Sequence, residues 1–295
     1  MKFFLLSTKK SIDKILIPFF GNTLGLPVNY KWLFYHLKCR FFFQGSLKTE
    51  LKEAVRQFKN ERLCKIGDFP LSDLAIKVSE YFRSLNSDVS HEDIPPLIQK
   101  EYGSLLYEAL SKVSPFIEMQ YGSYFQPYWV AIQQSLPGVE DLSSSDSWHI
   151  DDNPKPMLKI FFYLNEVNEW NGAFRAFPWK YSKLLLSRGF KSYNPETRIK
   201  NQSMVNEFFK ENRGKLRILE GKQGAALLFD NNLVHKGTLP KKSYRHVVQI
   251  LIYPSVKPMT IDMVRNALES PRLWDYPKNP SLNDYGGLLG EINNI

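Results

Sequence analysis

The stretch SWHIDDNPKPMLKIFFYL, residues 147–164, joins a histidine and two acids to a hydrophobic run through a proline-containing turn. The run over 157–164 is short, rich in aromatic residues and preceded by turn residues, which is typical of a buried strand. In extended backbone, His149 and Asp151 project to one side and Asp152 to the other. The stretch therefore predicts a strand that begins beside a polar group, which is either a metal site or the decoration of a turn.

Similar short hydrophobic runs recur on both sides of this stretch, each bounded by Gly, Pro, Asn or Asp. They are YWVAIQQSL, GAFRAF, LRILEG, QGAALLF and RHVVQILIYPS. Such a series predicts a sandwich or barrel. Residues 1–120 instead show mostly helical periodicity. We therefore expect a single domain over 1–295, with a mostly helical layer (1–120), a β core (121–256) interrupted by a lid-like insertion (181–215), and a C-terminal helix with an irregular tail (257–295).

The composition of 43% hydrophobic, 14% aromatic and 23% charged residues is typical of a soluble globular protein with a large core. Two cysteines are too few for a disulfide framework or a cysteine-based zinc site. The apolar start of MKFFLLSTKK is too short for a signal-peptide core, and no run approaches the about 20 residues of a membrane span. These features predict a cytoplasmic protein.

The net charge of +9 is concentrated near the N-terminus, because residues 1–66 hold 13 Lys and Arg against 4 Asp and Glu. Two interpretations stay open for this basic, aromatic-rich segment. It is either a helical layer with a solvated lysine face, or a region that makes peripheral contact with an anionic surface.

Five histidines are present, and two of them have an acid two positions on. His91 and Asp93 are expected in a polar turn before a helix, where acids favour the helix N-terminus, so the spacing alone is weak support for a metal site. His149 and Asp151 gain support from His235, which follows another hydrophobic strand. Two imidazoles and one carboxylate cover one face of an octahedral ion, as in non-haem iron(II) oxygenases. A structural zinc site uses four protein ligands.

Four further residues are candidates for binding an anionic cofactor. Arg245 stands ten residues after His235 at the start of a hydrophobic strand, where a buried guanidinium needs an anion such as a carboxylate. Strand alternation puts Lys159 and Tyr163 on one face, and Lys159 either binds an anion in the cavity or faces solvent. Gln249 shares a face with Arg245, and it either lines the pocket or is a hydrogen-bonded residue of the sheet.

The order His149-X-Asp151, His235, Arg245 resembles the iron(II)- and 2-oxoglutarate-dependent dioxygenases. The stretch MLKIFFYLNEVNEWNGAFRAFP, within a resemblance over about residues 120–256, is similar to the phytanoyl-CoA dioxygenase-like branch. This resemblance implies a mainly β, α+β fold with a double-stranded β-helix (jelly-roll, cupin-like) core. It implies Fe(II), 2-oxoglutarate and O2 as cofactors, with the first three residues as metal ligands and Arg245 paired to the far carboxylate of 2-oxoglutarate.

The reaction implied is hydroxylation of an unactivated C–H bond of a small-molecule substrate, with release of succinate and CO2, and an anionic substrate is one of the alternatives. Desaturation, ring closure and epimerisation are open alternatives. Asp151 disfavours halogenation, and Leu251 stands where nucleic-acid repair members have a second arginine, so no nucleic-acid partner is expected. PWKYS at 178–182 departs from the Pro-Gly-Ser-His of many members. The competing hypothesis is a non-catalytic β-barrel binding protein that retains the metal ligands.

Overall fold

The structure is a computed structural model that describes residue 19 and residues 25–45, 52–85, 91–138, 145–191 and 195–269. The α-helices within these residues are α1 Gly25–Phe41, α2 Lys52–Glu61, α3 Ser72–Leu85, α4 Pro96–Gln99, α5 Gly103–Tyr121, α6 Trp179–Ser187, α7 Pro195–Glu211 and α8 Ile261–Glu269. The strands are β1 Leu63–Asp68, β2 His91–Asp93, β3 Tyr124–Ser135, β4 Leu158–Tyr163, β5 Phe174–Ala176, β6 Arg217–Leu219, β7 Ala225–Phe229, β8 His235–Lys236 and β9 Arg245–Ser255.

The strands form two antiparallel sheets. The main sheet has six strands in the order β1-β7-β4-β9-β3-β2, and the minor sheet has three in the order β6-β5-β8. A single bridge joins His149 to His235 at the β8 edge of the minor sheet. The chain is therefore of mixed helix and strand content, with antiparallel sheets.

Strand alternation places the two faces of the main sheet in different cores, as the run at 157–164 predicts. Ile160 and Phe162 lie in the largest core with residues of helices α3, α5 and α8. Phe161 and Tyr163 lie in a second core with Phe174 of the minor sheet. The main sheet thus carries helices on one face and the minor sheet on the other. His235 of the minor sheet and Arg245 of the main sheet are buried polar residues of this interior.

The N-terminal region contributes strands as well as helices. β1 pairs with β7, and β2 pairs with β3 at the edge of the main sheet. The expectation of a polar turn before a helix at His91 and Asp93 is wrong, because these residues form β2 opposite Ser135 and Gln133. Three polar residues carry little strand propensity of their own. Their conformation is fixed by pairing with the long neighbour β3.

Two of the predicted segments are only partly described. The insertion over 181–215 includes most of α6 and α7, whose Phe208 packs with Phe177 and Val234. The irregular tail beyond residue 269 and the first 18 residues lie outside the described residues. None of the described helices is long and apolar enough to cross a membrane.

Candidate metal centre and cofactor site

His149, Asp151 and His235 converge, with one potential ligand atom from each lying within 4.8 Å of the others. The Oδ1 atom of Asp151 is 3.4 Å from His149 Nε2 and 3.7 Å from His235 Nε2. The two histidines are joined by reciprocal backbone hydrogen bonds of 2.8 and 2.9 Å. The amide of Asp151 donates to the carbonyl of Asn231 at 2.9 Å. Backbone pairing across the sheet edge therefore brings together His149 and His235, which are 86 positions apart in the sequence.

Both imidazole rings are oriented in the same way. His149 Nδ1 is 2.8 Å from the carbonyl oxygen of Ser147, and His235 Nδ1 is 2.8 Å from that of Leu233. A carbonyl only accepts, so each Nδ1 carries the proton and each Nε2 presents a lone pair. This is the arrangement in which a backbone carbonyl fixes the tautomer of a metal-binding histidine.

The charges of these side chains suit a cation. Burial lowers the pKa of His149, and burial together with the neighbouring His149 lowers the pKa of His235 to about 3. Burial opposes ionisation of Asp151, but the positive charge of Lys159 holds the pKa of this carboxyl well below its usual range. The site therefore presents two neutral imidazoles and one carboxylate at neutral pH.

Lys159 forms an ion pair with Asp151 through Oδ2, the oxygen that is not directed at the histidines. Its side chain is only 12% exposed. Lys159 is thus largely buried rather than facing solvent, and its partner is the carboxylate of Asp151, while a cofactor-binding role for Lys159 stays a prediction. The two carboxylate oxygens thus have separate partners, which leaves Oδ1 as the one available to a metal.

Arg245 is buried, with 5% of its surface exposed, and its five N–H groups are partly used. Nη1 donates to the carbonyls of Gly172 and Thr238, and Nη2 donates to Ser135 Oγ at 3.0 Å. Nε has no hydrogen-bond partner, and no carboxylate of the described residues forms an ion pair with this guanidinium. The N–H of Nε and one N–H of Nη2 are left, and this pair matches a carboxylate. Burial lowers the pKa of Arg245, and nothing within the described residues supplies that carboxylate.

Gly172 is required at this position. Its φ is +95°, a conformation that favours glycine, and a Cβ atom would lie 2.6 Å from the carbonyl oxygen of Thr238. A side chain at position 172 would therefore displace the carbonyls of Gly172 and Thr238, which both accept hydrogen bonds from Nη1 of Arg245.

A chain of hydrogen bonds leads from Arg245 to the edge of the main sheet. Ser135 Oγ lies 3.2 Å from His91 Nδ1, and His91 Nε2 lies 2.9 Å from Asp146 Oδ1. The carboxylate of Asp146 accepts from Nε2, so Nδ1 accepts from the serine hydroxyl, and the serine oxygen accepts from Arg245. Sequence patterns missed Ser135 and Asp146 and dismissed His91. The feature of the sequence that points to this chain of hydrogen bonds is His91 itself, whose partners Ser135 and Asp146 lie far from it in the sequence.

Tyr163 and Gln249 differ from Arg245 because their polar atoms have partners. The Tyr163 hydroxyl donates to the Leu219 carbonyl at 2.9 Å and accepts the Phe174 amide at 3.2 Å, and burial raises its pKa to about 12. Gln249 Nε2 donates to Gln133 Oε1 at 2.8 Å. Gln249 is thus a hydrogen-bonded residue of the sheet, which was the second alternative for it. A cofactor-binding role for either residue stays a prediction.

The basic residues of the insertion lie in different surroundings. Arg198 is half-buried, and its charge is near enough to lower the pKa of His149. Arg188 pairs with Glu211 at 3.0 Å on the surface. The side chain of Lys200 lies outside the described residues. The charge of Arg198 therefore reaches the candidate metal centre, whereas Arg188 is paired on the surface.

No family model and no curated protein matches this chain. Solved structures do match. EvdMO1 is 16% identical with a TM-score of 0.50 over 69% of this chain, which spans about half (49%) of the EvdMO1 chain. EctD from S. alaskensis with bound Fe is 12% identical, with a TM-score of 0.50 over 81% of this chain and 88% of its own. The chain therefore shares its fold with EvdMO1 and with EctD, the latter solved with bound Fe.

A further similar structure is the non-heme alpha ketoglutarate dependent carbocyclase SnoK from nogalamycin biosynthesis. It is 12% identical, with a TM-score of 0.47 over 71% of this chain and 87% of its own. Membership of the phytanoyl-CoA dioxygenase-like branch stays a prediction.

Proposed function

We propose that this chain is a non-haem iron(II)- and 2-oxoglutarate-dependent dioxygenase that hydroxylates a small molecule. The observation that carries the proposal is the convergence of His149, Asp151 and His235 in one buried site, with ligand atoms within 4.8 Å. The two facing antiparallel sheets support a double-stranded β-helix as the core. The oxygenase fold supports the same reaction class.

The donor set fits iron(II). Two neutral imidazole nitrogens and one carboxylate oxygen form the facial set that leaves coordination positions open for other ligands. The rings are held through Nδ1 by carbonyl oxygens, so Nε2 is the atom offered to the metal. The ion pair with Lys159 orients Asp151 so that Oδ1 serves as the third donor. When bound, iron and 2-oxoglutarate supply oxidation of a C–H bond, with release of succinate and CO2.

Arg245 is proposed to bind the far carboxylate of 2-oxoglutarate. Its remaining N–H pair suits a carboxylate, and its burial makes an uncompensated charge costly without one. Bonds to Gly172, Thr238 and Ser135 hold the guanidinium in place before that carboxylate arrives. Binding therefore requires little reorganisation of the protein.

Aromatic residues exclude water from the site. The ring of Phe174 lies 5.3 Å from that of His235, and the ring of Phe229 lies 5.7 Å from it. Both phenylalanines belong to the core between the two sheets. A dry wall of this kind protects a reactive oxidant and confines the reaction to a positioned substrate.

The substrate is proposed to be a small molecule with an anionic group. Arg198, whose positive charge helps to lower the pKa of the buried His149, is the candidate partner for that group. Replacing Arg198 with Gln should raise the Michaelis constant for such a substrate more than the one for 2-oxoglutarate.

Anaerobic spectroscopy tests the reaction class. Addition of Fe(II) and 2-oxoglutarate to the metal-free protein should give a weak visible charge-transfer band. The variant His235→Ala should lose this band. The variant His36→Ala is the matched control, because His36 lies on α1 and interacts with the Tyr121 carbonyl. A band that persists in His235→Ala would overturn the assignment.

One observation favours the alternative of a non-catalytic binding protein. The carboxylate of Asp151 is already neutralised by Lys159, which weakens its attraction for a cation. This hypothesis expects weak iron binding and no succinate above background with any substrate tested. Succinate formation that depends on both iron and His235 would exclude it.

A further inference from the structure

Helix α1 exposes a stripe of large hydrophobic side chains. Its members are spaced along one side of the helix at positions 30, 33, 34, 37 and 41, and their exposure ranges from 49% to 83%. They are Tyr30, Leu33, Phe34, Leu37 and Phe41. Single exposed hydrophobic residues are common on proteins, but a contiguous stripe of this kind marks an interaction surface.

The opposite side of the same helix is buried. Asn29, Trp32 and Cys39 are each at most 3% exposed, and Trp32 packs with Leu251 and Tyr253 of β9. The helix is thus apolar on two sides, and only one side is covered by the described residues. The stripe is therefore not required for packing α1 onto the rest of the fold.

The charge around the stripe is positive. Helix α1 contains Lys31, Lys38 and Arg40 and no Asp or Glu. Beside Leu33 opens a crevice of about 220 Å³, whose lining includes the cations Arg62 and Lys155. The acid Asp230, which is buried, lies 3.9 Å from Arg62. The surface thus combines exposed apolar side chains with cations.

We propose that this α1 surface docks on an anionic lipid membrane. Aromatic and aliphatic side chains enter the boundary between headgroups and acyl chains, while Lys and Arg attract anionic headgroups. A second copy of the chain is a poorer occupant, since two segments of net charge +9 would be brought together. The first 18 residues are basic too, with four lysines and one acid. A nucleic acid could contact the cations, but it would leave the hydrophobic stripe exposed to water.

Docking would place the membrane next to the candidate metal centre. Asn29 Oδ1 of α1 accepts the amide of Lys155, which lies in the turn between Asp151 and Lys159. Leu251, which contacts Trp32, is the register partner of Lys159. Helix α1 is therefore linked through Lys155 and Leu251 to the segment that carries Asp151 and Lys159.

Vesicle flotation with the full chain tests the docking surface. The protein should float with phosphatidylcholine vesicles that contain phosphatidylserine, and much less with phosphatidylcholine alone. High salt should weaken the binding, because screening reduces the attraction to the headgroups. The double variant Phe34→Asp/Phe41→Asp should lower the partition coefficient by about tenfold or more.

The matched control is Ile76→Asp, which changes a 55% exposed hydrophobic residue on α3, away from the stripe. It should bind vesicles like the wild type, and all variants should keep the iron and 2-oxoglutarate band and the wild-type circular dichroism. Failure of the wild type to float, or floating that ignores the double substitution, would overturn the proposal. Loss of a dimer on Phe34→Asp/Phe41→Asp, without vesicle binding by the wild type, would assign the stripe to a second copy. These outcomes do not depend on the proposed catalytic activity.

Discussion

Two motifs of this chain, His149-X-Asp151 and His91-X-Asp93, have the same spacing and different surroundings. In the first motif, His149 uses only Nδ1 for a hydrogen bond within the protein, and the neighbouring His235 does the same. His149 Nε2 faces Asp151 Oδ1 at 3.4 Å, and His235 presents its own Nε2 to the same oxygen at 3.7 Å. The three potential ligand atoms lie within 4.8 Å of one another.

In the second motif, the same residue types are hydrogen-bonded elsewhere. Both ring nitrogens of His91 have partners, Ser135 at 3.2 Å and Asp146 at 2.9 Å. The carboxylate of Asp93 accepts from Gln133 Nε2 at 3.0 Å. A histidine whose two nitrogens are both in use offers no lone pair to a metal. The number of uncommitted atoms, rather than the spacing, therefore separates a candidate ligand from a structural residue.

The largest expected effect is that of Asp151→Ala, compared with Asp93→Ala. The first change should abolish iron binding and, by leaving the ammonium of Lys159 buried without a partner, lower the free energy of unfolding by about 3 kcal/mol. The double variant Asp151→Ala/Lys159→Met should regain stability without regaining iron. Asp93→Ala should keep iron binding and lose about 1 kcal/mol. Calorimetric metal titration and urea unfolding measure both quantities. Equal iron affinity in the two single variants would contradict the distinction between the motifs.

Arg245→Lys is expected to have the next largest effect. Lysine keeps the positive charge but lacks the planar fork, so the dissociation constant for 2-oxoglutarate should rise roughly 30-fold, or about 2 kcal/mol. Iron affinity should not change, because Arg245 is not one of the three convergent residues. Anaerobic titration of the charge-transfer band with 2-oxoglutarate measures the change. An unaltered dissociation constant would remove Arg245 from the cofactor site.

Lowering the pH should destabilise the metal-free protein, because the buried rings of His149 and His235 resist protonation in the folded state. The pKa of His149 is lowered by burial, and that of His235 is lowered to about 3 by burial and by His149. The unfolded chain binds protons at the ordinary value of about 6.5, while the folded rings stay neutral. The free energy of unfolding should therefore fall as the pH drops below about 6.5, by at most about 1.4 kcal/mol per pH unit for each ring. Urea midpoints measured over this range should show a shallower slope for His235→Gln, and an identical slope would refute the linkage.

The smallest expected effect tests the second motif as a support for Arg245. Ser135→Ala removes the acceptor of Nη2 and should raise the Michaelis constant for 2-oxoglutarate about fivefold to tenfold, near 1 kcal/mol, with little change in kcat. Ser135→Thr should preserve the wild-type value. His91→Ala should act through the same hydroxyl, so the double variant should be no worse than either single one. Additive effects would show that His91 and Ser135 act separately.

Sequence patterns predicted the parts of this molecule that depend on local periodicity. The run at 157–164 forms a strand, and His149, Asp151 and His235 come together. The role of His91 was not predictable, because it depends on which residue of β3 lies opposite β2. Strand register of that kind is set by tertiary packing and not by the three residues themselves. The same limit applied to Lys159, whose face was predictable but whose partner was not.

The N-terminal region shows a second limit of sequence patterns. Periodicity indicates that a helix has an apolar side, but α1 is apolar on two sides. Which side contacts β9 depends on the shape of the sheet end that receives Trp32. The exposed stripe of α1 can be distinguished from its buried side only when the contacts of Trp32 with β9 are known.

The reciprocal backbone hydrogen bonds between His149 and His235 make the site independent of its occupant. Each ligand strand holds the other, so the distance between the two rings is fixed by the peptide backbone rather than by a bound ion. Sheet pairing therefore sets the spacing of two of the three candidate ligands, so a substitution that breaks this pairing should weaken metal binding without changing any ligand atom.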